Sequence, residues 1–317
     1  MIRYKKEICF IINPNSGQKN SVNILDKFNR LYLKSNDFTF DYYITRKIEE
    51  IKDIDIKEYK YIIFVGGDGT ISTFLQTLDN LNSIIVGTLP SGSGNALSYS
   101  LIYNKFRGLK KSKELTEDLI YLNLYNAIKN NSTKKIDTLN VSLIKSKKEI
   151  TSFLFISCGI FSNIDLDTEW LRFLGSFRFI LGAIFELIKY MFFGNNVYAE
   201  LEYVNENNNL IRIENSFTFF MANNLSHTSS TSKTSPLSKP DDGYIYLAYL
   251  TEPTSTLNLL YILLGLDSGL FITNLKYVKT KWFKFSPLNG KYDIDGEKYD
   301  IEPIEVNIKP KSLKVLF

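Results

Sequence analysis

Apolar residues along this chain keep two different rhythms. In the first part, short runs of β-branched and aromatic residues alternate with segments of helical period. Glu7 to Ile12, Phe38 to Ile44, Tyr61 to Val65 and Ile84 to Val86 read as strands. Ser21 to Leu33 repeats apolar residues one helical turn apart at Val22, Leu25, Phe28 and Leu31, and Ile71 to Leu81 does so at Ile71, Phe74, Leu75 and Leu78. A further helix is expected from Lys47 onward. Alternation of this kind predicts a parallel sheet with helices on both faces. Asn130-Asn131-Ser132-Thr133 reads as a boundary, so an α/β domain is expected over residues 1–133.

Past that boundary strands follow one another with few helices. Ile136 to Ile144, Thr151 to Cys158, Tyr198 to Val204, Leu210 to Met221 and Gly243 to Leu250 read as strands, closed by Trp282 to Phe285, Tyr292 to Ile294 and Glu305 to Ile308. The expectation for residues 134–317 is a mainly antiparallel β-sandwich, broken by a helical insertion over 167–193. Leu257 to Leu266 reads as an apolar helix. Ser226 to Lys239, rich in Ser, Thr and Lys, is expected to be a mobile loop. Asp295-Gly296-Glu297 falls in a hairpin turn.

Composition narrows the chemistry. A formal charge of +4 spread over 317 residues argues against a nucleic-acid partner and allows contact with an anionic membrane surface. Cys9 and Cys158 are the only cysteines and make neither a disulfide framework nor a metal spacing. His227 is the only histidine, which excludes histidine triads and multi-histidine metal sites. A general base must then be a carboxylate or something less usual. Trp170 to Phe193 is the longest apolar stretch, but Arg172, Arg178, Glu186 and Lys189 interrupt it, against a spanning helix. The apolar core of Met1 to Asn13 is too short for a secretory segment. The expectation is a cytoplasmic protein able to touch membranes peripherally.

Three polar, glycine-bearing loops follow predicted strands: Asn13-Pro14-Asn15-Ser16-Gly17, Gly66-Gly67-Asp68-Gly69-Thr70 and Leu89-Pro90-Ser91-Gly92-Ser93-Gly94-Asn95-Ala96. In a parallel sheet such loops gather along one edge, and their backbone amides beside helix N-termini suit phosphates. None closes with the Gly-Lys-Ser/Thr of a Walker A loop. Asp68 ends the central strand, where open α/β sheets place their chemistry. One carboxylate and a phosphate cradle suit phosphoryl transfer to a hydroxyl, which needs positioning and charge neutralisation more than covalent catalysis.

These residues resemble the diacylglycerol-kinase-type lipid kinases, and among them most closely the sphingosine kinases. The three loops are similar to that family's nucleotide and catalytic loops. Gly159-Ile160-Phe161-Ser162-Asn163-Ile164-Asp165-Leu166-Asp167, with Glu169, Arg172, Gly175, Arg178 and Gly182 behind it, looks like the sphingosine-kinase substrate segment, and Asp295-Gly296-Glu297 like the last motif. The resemblance implies a nucleotide-binding first domain and a lipid-binding second one. It implies an ATP-dependent kinase that phosphorylates the primary hydroxyl of a sphingoid base, with Mg2+. Asp68 would be the general base. Asn13, Pro14, Asn15, Thr45, Gly67, Gly69, Thr70, Gly92, Ser93, Gly94, Arg172, Arg178, Asp295, Gly296 and Glu297 would hold ATP. Asp165, with Gly66 and Gly67, would hold the lipid; no residue is assigned as a metal ligand.

Two positions depart from the family's pattern. Thr73 stands where a Glu is usual, and Asn163 where sphingosine kinases often carry a second acid. For Asp165 the residues alone also allow a helix N-cap ahead of Leu166, and for Arg172 and Arg178 solvated helix charges. A diacylglycerol, ceramide or NAD kinase, or an inactive lipid-binding protein of the same fold, are the alternative readings.

Overall fold

The structure is a computed structural model that describes residues 6–16, 19–33, 38–45, 50, 54–106, 116–175, 177–194, 196–251, 254–265 and 275–317. Most of the helix expected from Lys47 lies outside the described residues, as does Gly17 of the first loop. The chain forms two compact units, residues 1–136 with 311–317, and residues 137–310.

The first unit is the expected α/β layer. Its strands are β1 (Lys6–Ile12), β2 (Phe40–Ile44), β3 (Tyr59–Gly66) and β4 (Ile85–Pro90), hydrogen-bonded in parallel in the order β2-β1-β3-β4. Its helices are α1 (Ser21–Tyr32), α2 (Asp68–Leu75), α3 (Ala96–Lys105) and α4 (Glu117–Lys129). Strand residues alternate between the faces, as period two requires. Ile8, Phe10, Ile12, Tyr61, Ile63 and Val65 pack with Ile24, Leu25 and Phe28 of α1 and Tyr121 and Leu124 of α4. Phe64, on the other face, meets Phe74 of α2 with ring centroids 5.0 Å apart. Helices therefore cover both faces. Thr116 caps α4 by accepting from the Leu119 amide.

The second unit is mainly antiparallel. It contains β5 (Thr133–Leu143, from Asp137 on), β6 (Lys148–Ser152), β7 (Phe155–Gly159), α5 (Ile160–Leu166), α6 (Phe177–Phe193), β8 (Val197–Val204) and β9 (Leu210–Asn223). It continues with β10 (Ile245–Thr251), α7 (Thr256–Gly265), β11 (Lys276–Thr280), β12 (Trp282–Pro287), β13 (Tyr292–Ile294), β14 (Glu297–Tyr299) and the start of β15 (Ile304–Leu316). β9 pairs antiparallel with β7, β8 and β10. One face of nearly every strand enters a single aromatic-rich core, in which the Phe220 and Phe285 rings stack at 4.1 Å.

Three features differ from the sequence reading. Residues 311–317 belong to the first unit, because Lys314 and Val315 pair in parallel with Ile85 and Val86 of β4. The helical insertion starts at Ile160 rather than Asp167: Gly159, at φ +88°, turns β7 directly into α5. The loop expected to be mobile is packed inside. Ser226, His227, Lys233, Thr234 and Ser235 are buried, and Thr234 Oγ1 donates to Asn223 Oδ1 at 2.8 Å. Internal hydrogen bonds let a polar segment take a buried place.

Helix α6 is inverted relative to an ordinary surface helix. Its buried positions are Arg178, Gly182, Glu186 and Tyr190, while Ile180, Ile184, Phe185, Ile188, Met191 and Phe192 face outward. Among the described residues no helix is long and apolar enough to cross a membrane.

Candidate active site

In the first unit the three glycine loops come together at the carboxyl ends of β1, β3 and β4. Asn13 joins two of them: its Nδ2 donates to Thr70 Oγ1 at 2.9 Å, and its Oδ1 accepts from the Asn15 amide at 3.1 Å. Ser21 Oγ donates to the Asn13 carbonyl and meets Ser91 Oγ at 2.8 Å, tying the first loop to the third. The second and third loops touch backbone to backbone. A Cβ on Gly92 would stand 2.5 Å from Gly67 Cα, so only glycine fits there. Ser93 and Gly94 lie half-buried in the same loop, and Pro14 half-buried in the first. Thr45 is buried; its Oγ1 donates to the Ile12 carbonyl at 3.1 Å.

Asp68 is the first residue of α2, with Gly67 before it as extended N-cap and Gly69 after it inside the first turn. Its carboxylate reaches the third loop, accepting from the Ala96 amide at 2.7 Å and the Leu97 amide at 3.2 Å. Those amides open α3, whose N-cap Asn95 sits at φ +61° with its side chain bonded to Gly92. The α3 N-terminus thus holds the carboxylate in place. Thr73 does not replace the missing Glu: its hydroxyl donates back to the Gly69 carbonyl at 3.0 Å.

In the second unit the site residues gather around Asp165. Asp165 lies near the end of α5, which corrects the N-cap reading, since the helix has already begun at Ile160. Its side chain keeps 21% exposure and forms an ion pair with Arg178, whose own side chain is 6% exposed. Arg178 Nη1 also donates to the Asp165 carbonyl at 2.8 Å and to Thr168 Oγ1 at 3.3 Å. The guanidinium expected at the phosphates therefore sits on the acid expected at the lipid. Gly182 permits this packing, because a Cβ there would meet Thr168 Cγ2 at 2.7 Å. Arg172 lies on the 3-10 helix Glu169–Leu174, and its side chain is outside the described residues. Asn163 turns away and donates to the buried Glu186 at 3.0 Å.

The hairpin β13–β14 brings up the last motif. Asp295 and Gly296 form its two-residue turn at φ +54° and +87°, the pattern that right-twisted hairpins favour. The Asp295 carboxylate does not face outward. It is 1% exposed and accepts from Ser152 Oγ and from the amides of Phe153, Leu154 and Phe155, at 2.8 to 3.1 Å. Burial pushes its pKa up to about 6, against the pull of those donors. Three donors meet Oδ1 and one meets Oδ2, so the carboxylate is turned inward and committed to the chain itself. Glu297, by contrast, is exposed.

Asp293 is the functional candidate that sequence reasoning missed. It is fully buried, accepts from the Gly296 amide at 2.8 Å, and lies in hydrogen-bonding contact with Asp165. Burial, then the Asp165 charge, raises its pKa well above the usual carboxylate range. The signal was present in the period of the strand, which sends Asp293 to the face opposite Tyr292 and Ile294.

With this geometry in view, residues 7–141 match the diacylglycerol kinase catalytic domain. The likeness to lipid kinases of that type, expected from the motifs, is shown. Over nearly its whole length the chain is similar to sphingoid long chain base kinase 4 of Schizosaccharomyces pombe, at 26% identity over 98% of this chain and 74% of the relative. Sphingoid long chain base kinase 5 of Saccharomyces cerevisiae is 23% identical over 99% of the chain, which spans 59% of that relative. Sphingosine kinase 1 of Rattus norvegicus is 22% identical over 96% and 89% of the two chains. In fold, the chain is similar to a crystal structure of a diacylglycerol kinase from Bacillus anthracis, with a TM-score of 0.69 at 16% identity, covering 98% of this chain and 97% of the other.

Proposed function

We propose that the chain is an ATP-dependent kinase that phosphorylates the primary hydroxyl of a sphingoid base, giving sphingosine 1-phosphate. One observation carries the choice of acceptor: Asp165 keeps a fifth of its side chain open to solvent beside an apolar helix, although Arg178 lies on it. A lipid with a protonated amine near its hydroxyl matches such a carboxylate, while diacylglycerol and ceramide carry no amine to offer it. The relatives named as sphingoid base and sphingosine kinases support the same acceptor.

The roles follow from the residues. The Gly67–Gly92 approach leaves backbone where side chains would fill the loops, a cradle that fits polyphosphate. Asn13, Thr70 and Ser91 fix the loops to one another. Asp68, held by two amides, accepts the proton of the acceptor hydroxyl as the phosphoryl group transfers. Mg2+, when bound with ATP, offsets charge on the phosphates. Asp295, buried and turned onto the amides of 153–155, is not presented to it. A peripheral membrane surface is the natural source of the lipid, and the outward Ile and Phe side chains of α6 suit it.

The test is transfer of labelled γ-phosphate from ATP to sphingosine, diacylglycerol, ceramide and NAD in parallel. Product should form with sphingosine and fall away with the others. Equal or better turnover of diacylglycerol would overturn the acceptor, and no transfer to any of them would overturn the kinase reading.

A further inference from the structure

The buried face behind Asp165 holds more polar groups than its hydrogen bonds use. Ser157 Oγ and Arg178 Nε are buried and meet no partner, and Asp293 Oδ2 is buried with no donor, facing only the Asp165 carboxylate. Ser157 stands directly opposite Asp293 in the β7–β13 ladder, so the two side chains share one face of the sheet. That face is the one Asp165 meets: a Cβ on Gly296, whose amide donates to Asp293 Oδ1, would stand 4.0 Å from Asp165 Oδ2.

Charge decides what this arrangement suits. The Asp165 carboxylate is already balanced by the Arg178 guanidinium. A cationic ligand arriving at that pair alone would add an uncompensated charge at a site largely closed to water. A second carboxylate behind Asp165 removes the imbalance.

We propose that Asp293 is a positioning and specificity residue, which supplies through Asp165 the negative charge that balances the ammonium of the acceptor lipid. This rests on the acceptor proposed above. In the free protein burial and the neighbouring Asp165 charge keep a proton on Asp293, and with Asp165 paired to Arg178 the cluster is neutral. When the ammonium docks on Asp165 that proton leaves to solvent, and the cluster is neutral again. The groups facing Asp293 are Asp165 on α5 with Arg178 of α6 beyond it, Ser157 opposite on β7, Lys298 opposite on β14, and Asp295 in the turn. An acceptor without the amine gains nothing from the exchange, so the pair discriminates.

Calorimetric binding of a water-soluble short-chain sphingoid base and of its amine-free 1,3-diol, near neutral pH in two buffers of different ionisation heat, tests this. Wild type should bind the amine more tightly and release about one proton with it, and none with the diol. Asp293→Asn should weaken the amine roughly tenfold or more and abolish proton release, leaving diol and ATP affinities unchanged. Equal weakening of amine and diol would make Asp293 a structural residue only and overturn the inference. Preference for the amine in wild type without proton release would also overturn it, even were the variant to misfold, while leaving the acceptor intact. No preference for the amine in wild type would overturn both.

Discussion

The Asp68 carboxylate receives the backbone amide of Ala96 at 2.7 Å, so the residue proposed as base also closes the first turn of α3. The two duties separate on substitution. Asp68→Asn keeps an oxygen for one amide but removes the proton acceptor. Turnover should fall by roughly two to four orders of magnitude, the usual worth of a positioned base. The lost cap should cost about 1 kcal/mol, so ATP binding and a cooperative melt should survive. Activity within a few-fold of wild type would place the base elsewhere.

Gly92 and Gly67 make the sharpest steric prediction. With its Cβ 2.5 Å from Gly67 Cα, an alanine at 92 forces the second and third loops apart. Such overpacking costs on the order of 1–3 kcal/mol. The expected result is a raised KM for ATP with acceptor KM little changed. An unaltered ATP KM would show that the two loops do not act together on the nucleotide.

Arg178 is expected to act on the acceptor side. Its guanidinium bonds the side chain and carbonyl of Asp165 and the hydroxyl of Thr168. Arg178→Ala strips a nearly buried pair of one partner, a change worth about 3 kcal/mol, reduced here by the exposure of Asp165. Lys should rescue only in part, because a point charge cannot repeat the planar fork. Acceptor KM should rise more than ATP KM. The reverse order would return Arg178 to the phosphates.

Asp295 should behave as a structural residue. Asn in its place turns an amide towards donors from Ser152, Phe153, Leu154 and Phe155. Hydrogen bonds to a charged group are worth about 1.5–3 kcal/mol, so Asp295→Asn should lower Tm by several degrees. Its ATP KM, measured well below the new Tm, should match wild type. A selective rise in ATP KM at unchanged Tm would sink this assignment.

Residue order carried the first unit further than the second. Tyr61 to Thr70 reveals itself because strand, glycine turn and helix are local events, each written in adjacent residues. Asp295 did not, since an Asp-Gly turn looks solvated until the amides of 153–155 fold onto it from far along the chain. Ser226 to Lys239 misled for the same reason: its polarity is satisfied internally by partners such as Asn223. The closing residues gave no sign of rejoining β4, because a parallel partner is chosen by the sheet and not by the strand.

The outward face of α6 carries the last prediction. Buried Arg178 and Glu186 engage Asp165 and Lys189, which commits the polar side of the helix inward. Ile184 and Ile188 are then left 53% and 48% exposed, one turn apart, with Phe185 and Phe192 beside them. Full burial of an Ile or Phe side chain is worth about 1.5–3 kcal/mol, so even partial insertion of several gives measurable attraction to a lipid surface. Ile184→Asp with Ile188→Asp should reduce sedimentation with phosphatidylserine-containing vesicles by roughly tenfold or more. Exposed positions of this kind change stability by only about 0.5 kcal/mol each, so Tm should hold. Turnover of a water-soluble short-chain acceptor should hold as well, while turnover of vesicle-borne sphingosine falls with vesicle binding. If the double variant still binds vesicles as wild type does, the lipid meets another surface of the protein.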